Sequence, residues 1–143
     1  MSAANAPSSL EQNKRLILRW FDEVWNQGRR ETIKELFAAE CVLHDGASAY
    51  RGPEEFTAFH DRLRAEFSQF SVRPIVSLAE GDLACMRWNI EFVHTASGRP
   101  VQITGISVVR VRNGQFVEAW QNWDTAGLAA QLANENPRTG NPA

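Results

Sequence analysis

Polar and apolar positions alternate with two different periods along this chain, and the change falls near Phe70. Before it the period is helical. Ile17, Phe21, Val24 and Trp25 recur at helical spacing, with Leu16 and Trp20 widening the stripe. Ser8 with Glu11, and Ser9 with Gln12, each fit a capping box, so the first helix is predicted to start there. Gly28 reads as its stop. A short second helix is predicted over Arg30 to Ala38, with Ile33, Leu36 and Phe37 inward. Cys41 to Asp45 reads as a short strand or extended loop. A third helix opens at Gly52-Pro53 and carries Phe56, Phe59, Leu63 and Phe67 on one face.

After Phe70 the period becomes two. Four strands are predicted, Ser71 to Leu78, Leu83 to His94, Val101 to Arg112 and Phe116 to Asp124, with turns at Glu80-Gly-Asp82, Ala96-Ser-Gly98 and Asn113-Gly114. A short helix over Thr125 to Ala133 closes the domain. Helices first and antiparallel strands afterwards make an α+β fold. The last strand is apolar on both parities, Phe116 and Trp120 on one and Val117, Ala119 and Trp123 on the other. Such a sheet is packed on both sides. The helices cover one face, and a homodimer through the other is expected.

Composition sharpens this. The chain has 143 residues, enough for one domain with a real core. Residues 1–8 and 134–143 read as tails, leaving 9–133 as the domain. Fifteen Lys and Arg against 17 Asp and Glu leave no basic excess for nucleic acid. No apolar run reaches membrane-spanning length and no signal peptide is evident, so a cytoplasmic setting is the default. Cys41 and Cys85 form no zinc spacing or disulfide framework. Three His without a Cys, Asp or Glu cluster suggest no metal site, and no phosphate loop is present. Five Trp and eight Phe are many for so small a domain.

Asn13 to Gly28, Gly52-Pro-Glu-Glu-Phe56, Glu80-Gly-Asp82, Arg87-Trp88, Thr104-Gly-Ile106 and Glu118-Ala-Trp-Gln-Asn-Trp-Asp124 together resemble SnoaL-like proteins, the polyketide-cyclase branch of the NTF2-like superfamily. The resemblance covers about residues 10–133. It implies a conical barrel, in which a curved, mostly antiparallel sheet wraps three N-terminal helices around a deep pocket. It also implies a dimer and aldol cyclisation without metal or cofactor, run by an aspartate on the last strand and a histidine on the one before. Those two positions fall on Gln121 and Ser107. Gln does not exchange protons near neutral pH. Limonene-type epoxide hydrolases, a fainter similarity, carry Arg-x-Asp where this chain has Arg87-Trp88-Asn89.

A three-residue, bulged turn at Asn113-Gly114 would put Ser107 and Gln121 on one face. A turn at Ala96-Ser-Gly98 would add Arg87, Asn89 and Glu91 to it. A solvated ion pair is the other reading of Arg87 and Glu91. His44 and Asp45 fall near the cone's mouth. Asp45 could orient His44 as a base, but neighbours in an extended segment point opposite ways, and both read as pocket wall. Asp124 reads as the N-cap of the last helix. His60 lies at the margin of the third helix's stripe and is either a titratable pocket group or a boundary histidine. Trp25, Phe56 and Phe59 are expected at the inner end of the pocket and Trp123 on its sheet side. The expected ligand is a small, mostly apolar polyketide-like or terpenoid-like molecule. His60 or His44 would serve as base and Arg87 or Gln121 would polarise an oxygen. A binding module without chemistry is the alternative.

Overall fold

The computed structural model describes residues 9–133, so both predicted tails lie outside the described residues. These residues form four α-helices and six strands, one strand more than the predicted order holds even with Cys41 to Asp45 counted as a strand. Helix α1 is Ser9–Trp20, continued without a break by a π-helical stretch, Phe21–Asn26. Helix α2 is Arg30–Leu36, α3 is Gly52–Glu66 and α4 is Thr125–Ala133. Strands β1 (Val42–Asp45) and β2 (Ser48–Arg51) form a hairpin between α2 and α3. Then come β3 (Phe67–Glu80), β4 (Leu83–His94), β5 (Arg99–Arg112) and β6 (Gln115–Trp123).

Two features depart from the sequence pattern. Strand β2 was not foreseen: Ser48-Ala-Tyr-Arg51 has too little alternation to mark a strand, and only pairing with β1 defines it. Strand β3 starts at Phe67, four residues early. Its first stretch is bulged between Ser68 and Ser71, and Gln69 takes φ 57°, which breaks the period-two pattern there.

The sheet runs β2-β1-β6-β5-β4-β3. All neighbours are antiparallel except β1 with β6. Turn chemistry sets the register. Arg112 pairs with Gln115, so Asn113-Gly114 is a two-residue turn with both φ values positive, 52° and 74°. The extra residue anticipated in that turn sits instead at Val117, where the ladder shifts, and Ser107 still pairs with Gln121. The β4–β5 loop holds four residues, because His94 pairs with Arg99. Met86, not Arg87, therefore stands opposite Ser107.

One parity of the sheet accordingly faces the helices. Ala84, Met86, Trp88, Ile90 and Phe92 on β4 meet Val109, Ser107, Gly105, Ile103 and Val101 on β5. All eight Phe are buried, as are Trp20, Trp25 and Trp88. Each such aromatic contributes about 1.5–3 kcal/mol by leaving water. Aromatic contacts cross between layers: Phe67 stacks on Phe92 at 4.4 Å and Trp20 lies 5.3 Å from Phe116.

Helix α3 is tied to the end of the first helix. His60 Nε2 donates to the Val24 carbonyl at 2.7 Å, and Arg64 Nη1 donates to the Trp25 carbonyl at 2.6 Å. These are terminal carbonyls that the helix cannot satisfy itself. His60 and Arg64 stand four apart and so share one face of α3. Gly28, at φ 70°, ends the helix beside the Arg64 guanidinium in a conformation that favours glycine.

Gly105 is the tightest point of the sheet. A Cβ there would collide with the Trp88 ring and lie 2.9 Å from the Asn122 carbonyl oxygen. Gly105→Ala is expected to destabilise the fold by about 1–3 kcal/mol through overpacking, read as a lower midpoint in urea denaturation. An unchanged midpoint would refute this packing account.

Candidate functional site

Between the inward parity of the sheet and the helices lies an apolar cavity of about 60 Å³. Trp25, Phe59 and Leu63 line it from the helices, Trp88, Ile90 and Ile103 from the sheet. Gln121 supplies the one carboxamide among otherwise apolar and aromatic walls. Gln121 also borders a smaller void, beside Phe56 and Ser107. A solvent-facing hollow of about 380 Å³ adjoins the cavity and includes Asp45, Tyr50, Phe59 and Trp123. Phe59 and Trp123 line both spaces.

The β1–β2 hairpin contacts both of these residues. Tyr50 stacks on Phe59 with centroids 4.5 Å apart. The Trp123 indole donates through Nε1 to Asp45 Oδ1 at 2.9 Å. Parallel pairing of β1 with β6 places Asp45 opposite Gln121, whose amide favours the charged carboxylate. Burial pushes the Asp45 carboxyl above its usual range, against the opposing effect of those two donors. Both partners are neutral, so no cation offsets the desolvation.

The sequence-predicted residues divide among several environments. Trp25, Phe59, Gln121 and Trp123 come together around the main cavity. Phe56 and Ser107 fall beside the smaller void. The Ser107 hydroxyl is buried and accepts the Trp88 Nε1–H at 3.0 Å. Arg87, Asn89 and Glu91 lie on the outer face, one residue out of phase with Ser107, because the four-residue β4–β5 loop shifts the pairing. Arg87 and Glu91 are exposed there. Asn89 is buried among its neighbours and accepts from Gln102 Nε2 at 2.8 Å, while its own Nδ2 has no partner.

His44 also points outward. Its Nε2 lies 3.2 Å from Glu118 Oε2 and its ring stacks on Trp120. His60 is fully buried between helices, against Trp25 and Phe56, and does not border the cavity. Its bond to a carbonyl requires the proton on Nε2, and its Nδ1 has no hydrogen-bond partner. Asp124 caps α4: its Oδ1 accepts the Gly127 N–H at 2.8 Å. No group of three His, Cys, Asp or Glu converges among the described residues. Asp45 is the residue that the sequence reading passed over as a wall. Its signal was available in the period of β1: Leu43 is core, so Asp45, two residues on, shares its face.

A curved, mostly antiparallel sheet closed on one side by helices, with an apolar cavity between, defines an α+β cone of the NTF2-like type. Residues 17–119 match the SnoaL-like domain family, and the chain belongs to that family. A search of curated proteins gave no match. Among solved structures, the SnoaL-like proposed polyketide cyclase of Jannaschia sp. CCS1 is 21% identical, covers 90% of this chain and 96% of its own, and superposes with a TM-score of 0.82. IdmH, a proposed polyketide cyclase from Streptomyces antibioticus, is 27% identical over 85% of this chain and 99% of its own, with a TM-score of 0.76. An LEH-like epoxide hydrolase of M. tuberculosis shares the fold at 15% identity, covering 91% of each chain with a TM-score of 0.75. No helix among the described residues is long and apolar enough to cross a membrane.

Burial holds the His60 pKa below its ordinary value of 6.5, with the Val24 hydrogen bond opposing. The unfolded chain therefore binds a proton near pH 6.5 that the folded chain refuses. Stability is complete above that pH and falls as the pH drops below it. His60→Gln should flatten the slope of unfolding free energy between about pH 5 and 6.5, measured by urea titrations across that window. An unaltered slope would assign the acid sensitivity to other groups.

Proposed function

We propose that this protein binds a mostly apolar small molecule, of polyketide or terpenoid type, inside the cone. Any chemistry it performs there is cofactor-free cyclisation or isomerisation. The observation that carries this is the wall itself: an aromatic and aliphatic cavity meeting a single carboxamide, Gln121, beside a carboxylate-bearing hollow. That is the usual composition of a small-molecule site. At about 60 Å³ the cavity holds a few water molecules rather than a fused-ring ligand. A fused-ring ligand is therefore expected to extend past Phe59 and Trp123 into the adjoining hollow.

A binding module without turnover is the second reading. It is favoured by Gln121 and Ser107, which stand where the family keeps its aspartate and histidine, and neither of which titrates near neutral pH. Both readings need the ligand.

The outer face bears on the partner. Leu78, Cys85, Val108, Trp120 and His44 form one row across the strands, beside Val76, Arg87, Ile106 and Asn122. Ile75, Val76, Leu78 and Ile106 are exposed, with Leu78 54% accessible. We propose a homodimer through this face. It would remove those four side chains from water, and the chain itself is the partner that presents a matching apolar sheet.

Two measurements test these readings. A thermal-shift panel of polyketide-like, terpenoid-like and steroid-like compounds should raise the melting temperature by linkage. Ile90→Phe, which fills the cavity, should abolish the shift while the protein stays folded. A flat response to the whole panel would overturn the ligand reading. Light scattering on the eluting peak should give twice the chain mass, and Leu78→Arg with Val76→Asp should halve it. A wild-type monomer at micromolar concentration would overturn the dimer.

A further inference from the structure

We propose that helix α4 is a gate over the ligand space, latched by the Gln131 carboxamide, which opens for an apolar molecule to enter or leave. This rests on the ligand reading above.

One face of α4 borders both spaces. Thr125 lines the hollow, and Leu128, three residues on along the same face, lines the apolar cavity. Leu132, a further turn on, packs against the core. None of the nine α4 residues is buried, whereas α1, α2 and α3 each bury two or more. Packing of an apolar face supplies most of a helix's stability in a folded protein. Helix α4 is therefore the wall element that is easiest to displace. Nine residues, with Gly127 in the first turn, are also too few for a helix that stands alone in water.

The attachment is polar and sits at the far end. Strand β6 stops at Trp123, opposite Gly105, so the edge of β5 before Gly105 has no strand beside it on that side. The Gln131 side chain takes that place. Its Oε1 accepts the Gln102 N–H at 3.1 Å, and its Nε2 donates to the Gln102 carbonyl at 2.9 Å. Arg99 Nη1 donates to the Gln131 carbonyl at 2.7 Å. At the near end the chain is pinned by Asp124, whose N–H donates to the Thr104 carbonyl at 3.1 Å and whose Oδ1 caps the Gly127 N–H. Hydrogen bonds at an exposed edge exchange for water at small net cost. The latch can thus release while the ladder of β4 with β5 stays intact. With α4 swung away about Asp124, cavity and hollow lose the same wall together, which admits a molecule larger than the closed cavity of about 60 Å³. Gln131 does not line that cavity, so it governs passage and not fit.

The test uses the full chain and 1-aminoanthracene, a neutral fused-ring fluorophore that brightens on leaving water. Stopped-flow fluorescence reads its association and dissociation, and hydrogen exchange by mass spectrometry reads α4. In the wild-type protein α4 should exchange faster than α1 and α3, and more slowly once the probe is bound. Gln131→Ala should raise both rate constants about tenfold and leave Kd within about threefold, since two hydrogen bonds of the latch are lost and no ligand contact is. Arg99→Gln should move both rates the same way by a smaller factor, and stands in if Gln131→Ala fails to fold. Unchanged rates in Gln131→Ala while α4 exchange rises would overturn the gate and leave α4 as a cover for the β5 edge. So would faster rates in Tyr50→Ala, on the hollow side, with Gln131→Ala unaffected, or a weakened Kd at an unchanged association rate. Absence of probe binding overturns the gate and the ligand reading together.

Discussion

Everything in this molecule depends on the register of β4, β5 and β6. A strand's side chains alternate between faces, so a single slip would exchange the whole interior with the exterior. Met86, Ser107 and Gln121 lie in one row across the three strands and point inward. Three local devices hold that row: a two-residue turn at Asn113-Gly114, a bulge at Val117 and a four-residue loop after His94. With the row in place, the apolar parity of β4 meets the helices and the mixed parity containing Arg87 and Glu91 meets the outside. The close approach of Trp88 to Gly105 follows from the same alignment.

The helices answer to a second constraint, the unsatisfied carbonyls at the end of a helix. The π-helical stretch delivers Val24 and Trp25 to α3, and His60 and Arg64 accept the task of pairing their carbonyls. A histidine so deeply buried invites a chemical role. Here its donor is consumed by the backbone, and its low basicity reflects the environment that packs the helices rather than contact with the cavity.

The polar groups of the interior are few, and nearly all are engaged with one another. Ser107 serves Trp88, while Trp123 donates to Asp45 and Gln121 stands opposite it. A carboxylate held only by neutral donors at the border of an apolar space is costly, since desolvation opposes its charge. Such a cost is characteristic of sites where chemistry is done. Trp123 lines both the cavity and the hollow and donates to Asp45, so the cavity wall and the carboxylate share one residue.

Local periodicity was enough to place the helices, four of the six strands, the hairpin turns and the aromatic core, because amphipathic spacing is a property of each segment alone. The capping role of Asp124 was legible for the same reason, as was the family through its ordered motifs. Strand β2 was not, because its pairing with β1, and not its own pattern, makes it a strand. Nor was the face taken by Arg87, Asn89 and Glu91, which turns on one loop residue that composition does not specify. Asp45 shows the division most plainly. Its neighbour Leu43 fixes its face, a local fact, but its meeting with Gln121 and Trp123 comes from the parallel pairing of β1 with β6, across more than seventy residues of chain. Contacts closed over that distance are decided by packing of the whole domain, and no local period encodes them.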